Sequence, residues 1–489
     1  MNCLFSNITA LILWANHRDI TGCQSYLCAR KVNIRELMSR TIRIRKGANI
    51  RLKGRPATSI VDAPPAAIYA VQPPDFTGVI PKLRVKEGDA VVAGSSLFFS
   101  KDCPSVQFAS PVSGVVKSIV RGAKRKILAV LIEADQQGKA ESFPVIDLKT
   151  ADRTAILGAM LNGGLFAFVQ QRPFAVAADP AVTPRSIHIS GFNSAPLSPD
   201  MAVALKGRME DFQTGIHALS QLAGSEGVHI GVLSNDTIFS GIEGAKVTQF
   251  EGPHPAGNVG VQIHHAAPLN KGEVLWTMHA EDVANLGVLL SKGRYEPCRV
   301  VGAGGSEHPA PQHMRALAGA ALTSLVGGHE DAESTRYISG DPLTGTDAGA
   351  AGFLGGLHHQ VTLLPEGNEP KFLLTDGWLS PGLKKFSLSR SYPTWLMPKS
   401  KEFTMDTNSN GEERAFVVTG QYEPVFPFDI YPVQLIKSIM ANDIDGMEKL
   451  GIYEVAPEDF ALCEYACTSK IAVQKVVRDG LDMLKKELG

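Results

Sequence analysis

Four residues on one short stretch, Phe166, Phe168, Arg172 and Phe174, combine three aromatic rings with a single fixed positive charge. Pockets for planar ligands are mostly apolar with a few polar anchors, so these four are candidates for holding a quinone headgroup. The same residues also read as a core loop packed with phenylalanines. A second constellation is Cys463 and Cys467. A [4Fe–4S] ligand run needs Cys-x2-Cys-x2-Cys-x3-Cys, because thiolates must fill every iron. This pair matches the last spacing alone, and the two earlier positions fall on Pro457 and Phe460. Packing between short helices is the expected role, with an intersubunit metal site or redox pair as the sharper alternative. A third group, His254, His264 and His265, lies around the loop Glu251–Asn258. Zinc or iron sites want Cys or carboxylate partners at set spacings. Adjacent His264 and His265 would alternate faces on a strand, so a structured loop with hydrogen-bonded histidines is expected and no metal. No catalytic residue stands out.

Other chemistry is excluded by what is missing. No Gly-x-Gly-x-x-Gly follows a strand near the early pair Gly163-Gly164, and no Gly-Lys-Ser/Thr loop occurs. The chain is therefore not expected to bind NADH by itself. Its 48 basic residues nearly cancel 49 acidic ones, leaving no global field for nucleic acid. No run approaches the ~18–20 apolar residues of a transmembrane helix, so attachment to a membrane would come through partners. Seven scattered cysteines in a chain of 489 residues give no disulfide framework.

Several elements must position these groups. Residues 1–40 hold three of the cysteines and read as a leader or disordered extension, with Met38 the expected natural start. Thr41-Ile42-Arg43-Ile44-Arg45 alternates as a strand and breaks at Gly47. Between 78 and 134, short strands recur with turn signals at Gly88-Asp89 and Ser110-Pro111, which predicts a small β sandwich or barrel. From about 150, strands Ser186–Gly191 and Val228–Leu233 alternate with helices Arg153–Leu161 and Phe212–Ala223. That alternation predicts a parallel α/β sheet, with ligands at strand carboxyl ends. Gly302–Gly305 is read as a turn. Residues 419–489 read as helical, with proline starting Pro432–Met440 and Val476, Val477, Leu481, Leu484 and Leu488 on one face of the last helix.

The 78–134 stretch resembles the biotinyl/lipoyl carrier fold through Val85-x-Glu87-Gly88-Asp89-x-Val91-x-x-Gly94 and Ala109-Ser110-Pro111-Val112-x-Gly114-x-Val116. Counting back from Ser110 puts Cys103, not a lysine, where those carriers are acylated. A thiol cannot form the amide, so a structural module is expected and a carrier function is not. Arg336-Tyr337-Ile338-Ser339-Gly340 resembles the strand-turn of the SLBB β-grasp module.

Taken in order, Ile44-Arg45-Lys46-Gly47, Leu52-x-Gly54-Arg55-Pro56, Val85-x-Glu87-Gly88-Asp89, Gln171-Arg172-Pro173-Phe174, Gly252-Pro253-His254-Pro255-Ala256-Gly257 and the Asp459–Glu487 tail are similar to the A subunits of the sodium-translocating NADH:quinone oxidoreductases (Na+-NQR), over roughly 41–489. The resemblance implies a multidomain α/β and β protein. Its expected parts are a leader at 1–40, a barrel-sandwich (lipoyl-like) region at 41–145 and a Rossmann-like α/β region at 146–295. An SLBB β-grasp module at 296–365, a connection at 366–418 and a C-terminal helical domain at 419–489 complete it. It implies a peripheral subunit on the cytoplasmic face of the bacterial inner membrane, with five partners, B to F. Flavins and an iron–sulfur centre would belong to those partners, with no cofactor tightly bound here and ubiquinone or menaquinone as substrate. Such a chain belongs to a translocase that passes electrons from NADH to quinone and exports sodium, and alone it would lack complete activity. The alternative is the similar C subunit of the Rnf complex, which binds flavin and iron–sulfur clusters through residues this chain lacks.

Overall fold

A central strand buried on both faces, Ser186–Ser190, organises the largest sheet. Strands covered on both sides read as continuous apolar runs, as Ser186-Ile187-His188-Ile189 nearly does. In the computed structural model, which describes residues 41–327, 333–369, 371–377 and 379–488, this strand pairs in parallel with Gly227–Leu233 and Leu275–Thr277. Gly227–Leu233 pairs in parallel with Ala245–Glu251. Gln170–Arg172 runs antiparallel to Leu275–Thr277, and Val176–Ala177 closes that edge. The opposite edge is Thr41–Arg43, parallel to Ala245–Glu251, making seven strands. The expected parallel α/β sheet is present, with an edge strand drawn from the beginning of the described chain. The readings of residues 1–40 lie outside the described residues.

Two helices cover this sheet, Met209–Leu222 and Ala280–Lys292. They touch backbone to backbone. A Cβ on Gly215 would overlap the Val283 carbonyl, and one on Gly287 would overlap the Asp211 carbonyl. Glycine there permits a proximity that larger residues would forbid.

The barrel-sandwich region is a four-stranded sheet, in the order Ile68–Val71, Ile127–Ala134, Gly114–Arg121, Ala90–Val91, with a three-stranded sheet of Pro81–Leu83, Ser96–Ser100 and Gln107–Ala109. Gly88, at φ +90°, makes the expected turn, and Asp89 Oδ2 accepts from the Lys86 N–H at 2.7 Å. Cys103 lies in the connection between Ser96–Ser100 and Gln107–Ala109, its carbonyl accepting from the Val106 N–H at 3.0 Å. No lysine takes that place.

A six-stranded mixed sheet follows, ordered Thr346–Asp347, Thr335–Ser339, Gln360–Pro365, Cys298–Gly304, Gln312–Leu317, Ala57–Asp62. Its outer strand again comes from early in the chain, parallel to Gln312–Leu317. The expected turn at 302–305 is not one. Residues 302–304 belong to a strand, and Gly305, at φ +111°, donates to the Gly54 carbonyl at 2.9 Å. Close backbone packing, not chain reversal, requires those glycines.

At the carboxyl end, helices Pro432–Met440, Ile444–Lys449, Ala461–Ala466 and Val473–Leu488 share a core with Ile44, Phe250 and Val261. The last helix buries Val477, Leu481 and Leu484 as its spacing predicts, together with Val473, whereas Val476 is half-buried and Leu488 is 58% exposed because its turn runs past the core. His264 and His265 sit on the last turn of a helix, Val259–Ala266, and not on a strand. Gln262, buried on the same helix, donates to Ser190 Oγ at 2.9 Å and ties that helix to the central sheet.

Candidate functional site

The glycine pair Gly163-Gly164 ends helix Arg153–Asn162 and turns the chain inward. A Cβ on Gly163 would overlap Leu289 on the sheet-covering helix. Gly164, at φ +71°, lies against Ala109 of the barrel-sandwich region. A 3-10 turn, Leu165–Phe168, follows and is fully buried. Phe166 packs edge-on against Trp276, with ring centroids 5.3 Å apart. Phe168 points the other way, edge-on to Phe76 at 6.2 Å, with the Arg299 guanidinium 5.2 Å from its ring centre. Phe76 meets Phe108 at 4.6 Å, and Phe108 stacks on Phe98 at 4.6 Å. A row of rings therefore runs from the barrel-sandwich core to a buried arginine.

Beside this row lies a narrow cleft with apolar walls of Phe76, Phe108, Phe168, Ala109 and Tyr295, closed by Gly319 and Gly356. Of the four aromatic-pocket candidates, Phe168 alone is on its wall. Phe166 belongs to the sheet core. Arg172 is 4% exposed and ion-paired with Glu458 at 2.7 Å and Asp459 at 3.4 Å. Phe174, at φ +79°, turns to the C-terminal core, edge-on to Tyr453 at 6.1 Å. Arg478 donates to its carbonyl at 2.7 Å, holding a backbone conformation that non-glycine residues rarely adopt. The four residues do not converge on one pocket.

Behind Phe168 lies a cluster that no spacing in the sequence announced. Arg299, from strand Cys298–Gly304, is completely buried. It pairs with Asp282 Oδ1 at 3.3 Å and donates to the His358 carbonyl at 3.0 Å. Glu281 accepts from the Val300 N–H at 2.7 Å and bonds His359 Nδ1 at 2.9 Å. Burial pushes Glu281 and Asp282 up from the usual carboxylate range. It pushes His279 and His359 well down, so their rings are neutral at neutral pH. Asp282 Oδ2 and His359 Nε2 face each other at 3.9 Å, and neither has a hydrogen-bond partner in the protein.

His279, Asp282 and His359 bring one ligand atom each within 4.8 Å of one another, the one such set of donors among the described residues. Their geometry suits an ion poorly. The two imidazoles are stacked, with centroids 3.4 Å apart and 21° between planes. An ion in the plane of one ring would lie outside the plane of the other, and Arg299 already supplies positive charge. The arrangement is a buried network of ion-paired and hydrogen-bonded groups. The signal was present in Ala280-Glu281-Asp282-Val283-Ala284-Asn285-Leu286: three polar residues in a helix whose every position from 280 to 290 is buried. Buried ionisable groups need partners, and a helix with such residues implies a polar cluster elsewhere in the fold.

The remaining candidates are structural. His254 bonds Ser194 Oγ at 3.1 Å, His264 bonds Glu454 at 2.7 Å, and His265 bonds the Pro427 carbonyl at 3.0 Å. Each histidine has its own partner, as expected, but His264 and His265 are held by a helix and not by a loop. Cys463 and Cys467 are buried at helix Ala461–Ala466, and burial pushes the Cys463 thiol well up, which keeps it protonated.

Fold and sites together define a mixed α/β protein that carries a barrel-sandwich hybrid module. Sequence comparison makes this specific. Residues 42–135 match the NqrA N-terminal barrel-sandwich hybrid domain, and residues 151–295 match the NqrA second alpha/beta domain. The A subunit of the Na(+)-translocating NADH-quinone reductase of Hahella chejuensis is 36% identical over 450 residues, covering 91% of this chain and 100% of that protein. Its counterparts in Alcanivorax borkumensis and Serratia proteamaculans are each 34% identical, with the same coverage. The chain belongs to the family of these A subunits. The solved NAD+-reducing [NiFe]-hydrogenase, with a TM-score of 0.33 and 13% identity over 70% of this chain and 65% of that one, carries no argument.

Proposed function

We propose that this chain is a peripheral subunit on the cytoplasmic side of a sodium-translocating NADH:quinone oxidoreductase, where it takes part in binding and reducing the quinone. The full-length relationship to A subunits supports the reading. Among the described residues no helix is long and apolar enough to cross a membrane, so attachment and the sodium path fall to partner subunits, five of them, B to F. Flavins and the iron–sulfur centre sit in those partners, no cofactor is held tightly here, and the isolated chain lacks the complete reaction. Ubiquinone or menaquinone is the substrate. The Rnf alternative has no support, since Cys463 and Cys467 gain no third ligand among the described residues. The five strands at 296–365, extended at their edge by Ala57–Asp62, are the SLBB β-grasp module, 41–145 and 146–295 are the barrel-sandwich and α/β regions, 366–418 connects, and 419–489 is a helical domain.

The quinone ring is assigned to the cleft lined by Phe76, Phe108, Phe168 and Tyr295, which at about 20 Å³ must open to admit it. One observation carries this choice: Phe168, on the cleft wall, has the buried Arg299 guanidinium 5.2 Å from its ring centre, and Arg299 leads to Glu281, Asp282 and His359. Reducing a quinone to quinol consumes two electrons and two protons. Electrons arrive from the redox groups of the partners. Phe168 supplies a flat apolar wall, the guanidinium behind it favours negative charge developing on the ring oxygens, and Glu281 and Asp282, pushed up by burial, are the groups that would pass protons toward the ring. Of the residues expected from sequence, Phe168 keeps a place on the wall, while Phe166 lies in the sheet core and Arg172 and Phe174 face the C-terminal core. Photoaffinity labelling with a quinone analogue tests the assignment. Label competed by ubiquinone should map to peptides containing Phe76, Phe108, Phe168 or Tyr295. Absence of competable label at all four would sink it.

A further inference from the structure

Soluble proteins rarely leave large apolar side chains exposed in one stretch without a use for them. Residues 371–377 and 379–401 do so. Phe372 is 68% exposed, Leu374 59%, Leu383 60%, Trp395 62% and Leu396 68%. The same stretch contains Lys371, Lys384, Lys385, Arg390, Lys399 and Lys401 against one acid, Asp376. The whole chain has a net charge of −1, so this is a local concentration of positive charge. Some of it is used internally: Lys371 pairs with Asp406, Lys385 lies over the Tyr392 ring at 5.3 Å, and Lys401 donates to the Leu383 carbonyl at 2.8 Å. Lys384, Arg390 and Lys399 make no such contact among the described residues.

The exposed tip is held firmly from beneath. Arg51 donates to the carbonyls of Thr394 and Pro398 at 3.1 and 2.5 Å, and its guanidinium lies against the edge-on pair Phe386 and Phe403, 5.8 and 5.2 Å from their ring centres. Buried Thr394 bonds the Lys385 carbonyl and the Ser387 N–H. Trp395 and Leu396 follow directly, on a 3-10 turn, and face outward.

We infer that this stretch rests on the surface of an anionic lipid bilayer, with Trp395, Leu396, Leu383 and Phe372 entering the headgroup region and the free bases paired with lipid phosphates. Tryptophan with flanking lysine is suited to that boundary, where one end of the side chain is apolar and the other wet. The charge selects lipid over a protein partner. Lysine is depleted at protein–protein interfaces, and five of these six bases are lysines. A negatively charged leaflet attracts each base near it. The contact is additional to any attachment through partner subunits, and it does not depend on where the quinone binds.

Flotation of the full chain with unilamellar vesicles tests the inference. Binding should be seen with phosphatidylglycerol/phosphatidylethanolamine vesicles and fall at least tenfold with phosphatidylcholine alone. It should weaken from about 0.05 M to about 0.5 M salt as charges are screened. Changing Lys384, Arg390 and Lys399 to Gln together should lower partitioning roughly 100-fold. Trp395→Ala with Leu396→Ala should abolish binding while the circular dichroism melt stays in place. Brominated lipid should quench tryptophan fluorescence in the unaltered chain and much less in Trp395→Phe. Indifference to phosphatidylglycerol, or binding unchanged by the Trp395/Leu396 double substitution, overturns the inference. Association seen only when membrane subunits are added to the vesicles overturns it as well, and assigns the patch to a protein contact.

Discussion

Arg172 and Asp459 show how one buried charge sets the behaviour of a residue far along the chain. Asp459 is almost fully buried, accepts from the Ala456 N–H at 2.9 Å and pairs with Arg172. Removing the arginine leaves that carboxylate without compensation, so Arg172→Ala should cost about 3–5 kcal/mol in a denaturant titration. Adding Asp459→Asn to Arg172→Ala should return part of the loss, and a double-mutant cycle will measure the coupling. The pH dependence has a definite sign. Burial pushes Asp459 up to about 6, above its value of about 4 in an unfolded chain. The folded state therefore binds this proton more tightly, and the stabilisation from it, complete below about pH 4, is lost as pH rises through 6. Asp459→Asn should flatten that slope in thermal melts between those values. At this scale the sequence was partly readable. Phe168 was singled out with three neighbours, but a 3-10 turn followed by a strand sends residues 166 to 174 toward different cores, so adjacency in sequence did not mean a shared pocket. Phe76, Phe108 and Tyr295 had no local mark, because the cleft exists only where six separate segments meet.

Elements whose core spacing is regular were the most legible. The helix predicted as Arg153–Leu161 and the one starting at Pro432 appear almost residue for residue, since a cap at Asp152 and a proline at the first turn fix where they begin. The Val259–Ala266 helix was missed because glycine, two histidines and a proline-rich approach hide its period. The helix pair Met209–Leu222 and Ala280–Lys292 gives the sharpest test at this level. Gly287→Ala would drive a methyl group into the Asp211 carbonyl and push the helices apart. Overpacking of that kind should cost about 1–3 kcal/mol. Because Glu281 and Asp282 ride on the same helix, the substitution should also weaken the Val300 N–H bond to Glu281, detectable as faster amide exchange at Val300. An unchanged melt would mean that the helices separate without cost.

The whole molecule is interleaved in a way that its linear division into regions conceals. Thr41–Arg43 completes the seven-stranded sheet and Ala57–Asp62 the six-stranded one, while the strands between 68 and 134 build the barrel-sandwich region. The sequence showed the first strand by its alternation but not its partner, since pairing register between distant segments leaves no local pattern. Removing residues 41–63 should expose an edge of both sheets at once. Hydrogen exchange at Ala245–Glu251 and Gln312–Leu317 should then rise together, and a rise in only one would show that the sheets are secured independently.

The same edge strand sets a timetable for biosynthesis. Thr41 meets Gln249, 208 positions later, and the Ala57 carbonyl bonds His313 across 256 positions. A ribosome adding ~5–20 residues per second leaves the first strand waiting roughly 10–40 s before its neighbour emerges. During that interval Thr41–Arg43 has no sheet to join, although the barrel-sandwich strands downstream can already pair among themselves. The large sheet is thus sealed late, by residues made early, and a nascent chain stalled before residue 251 would keep its amino end free for a chaperone to hold.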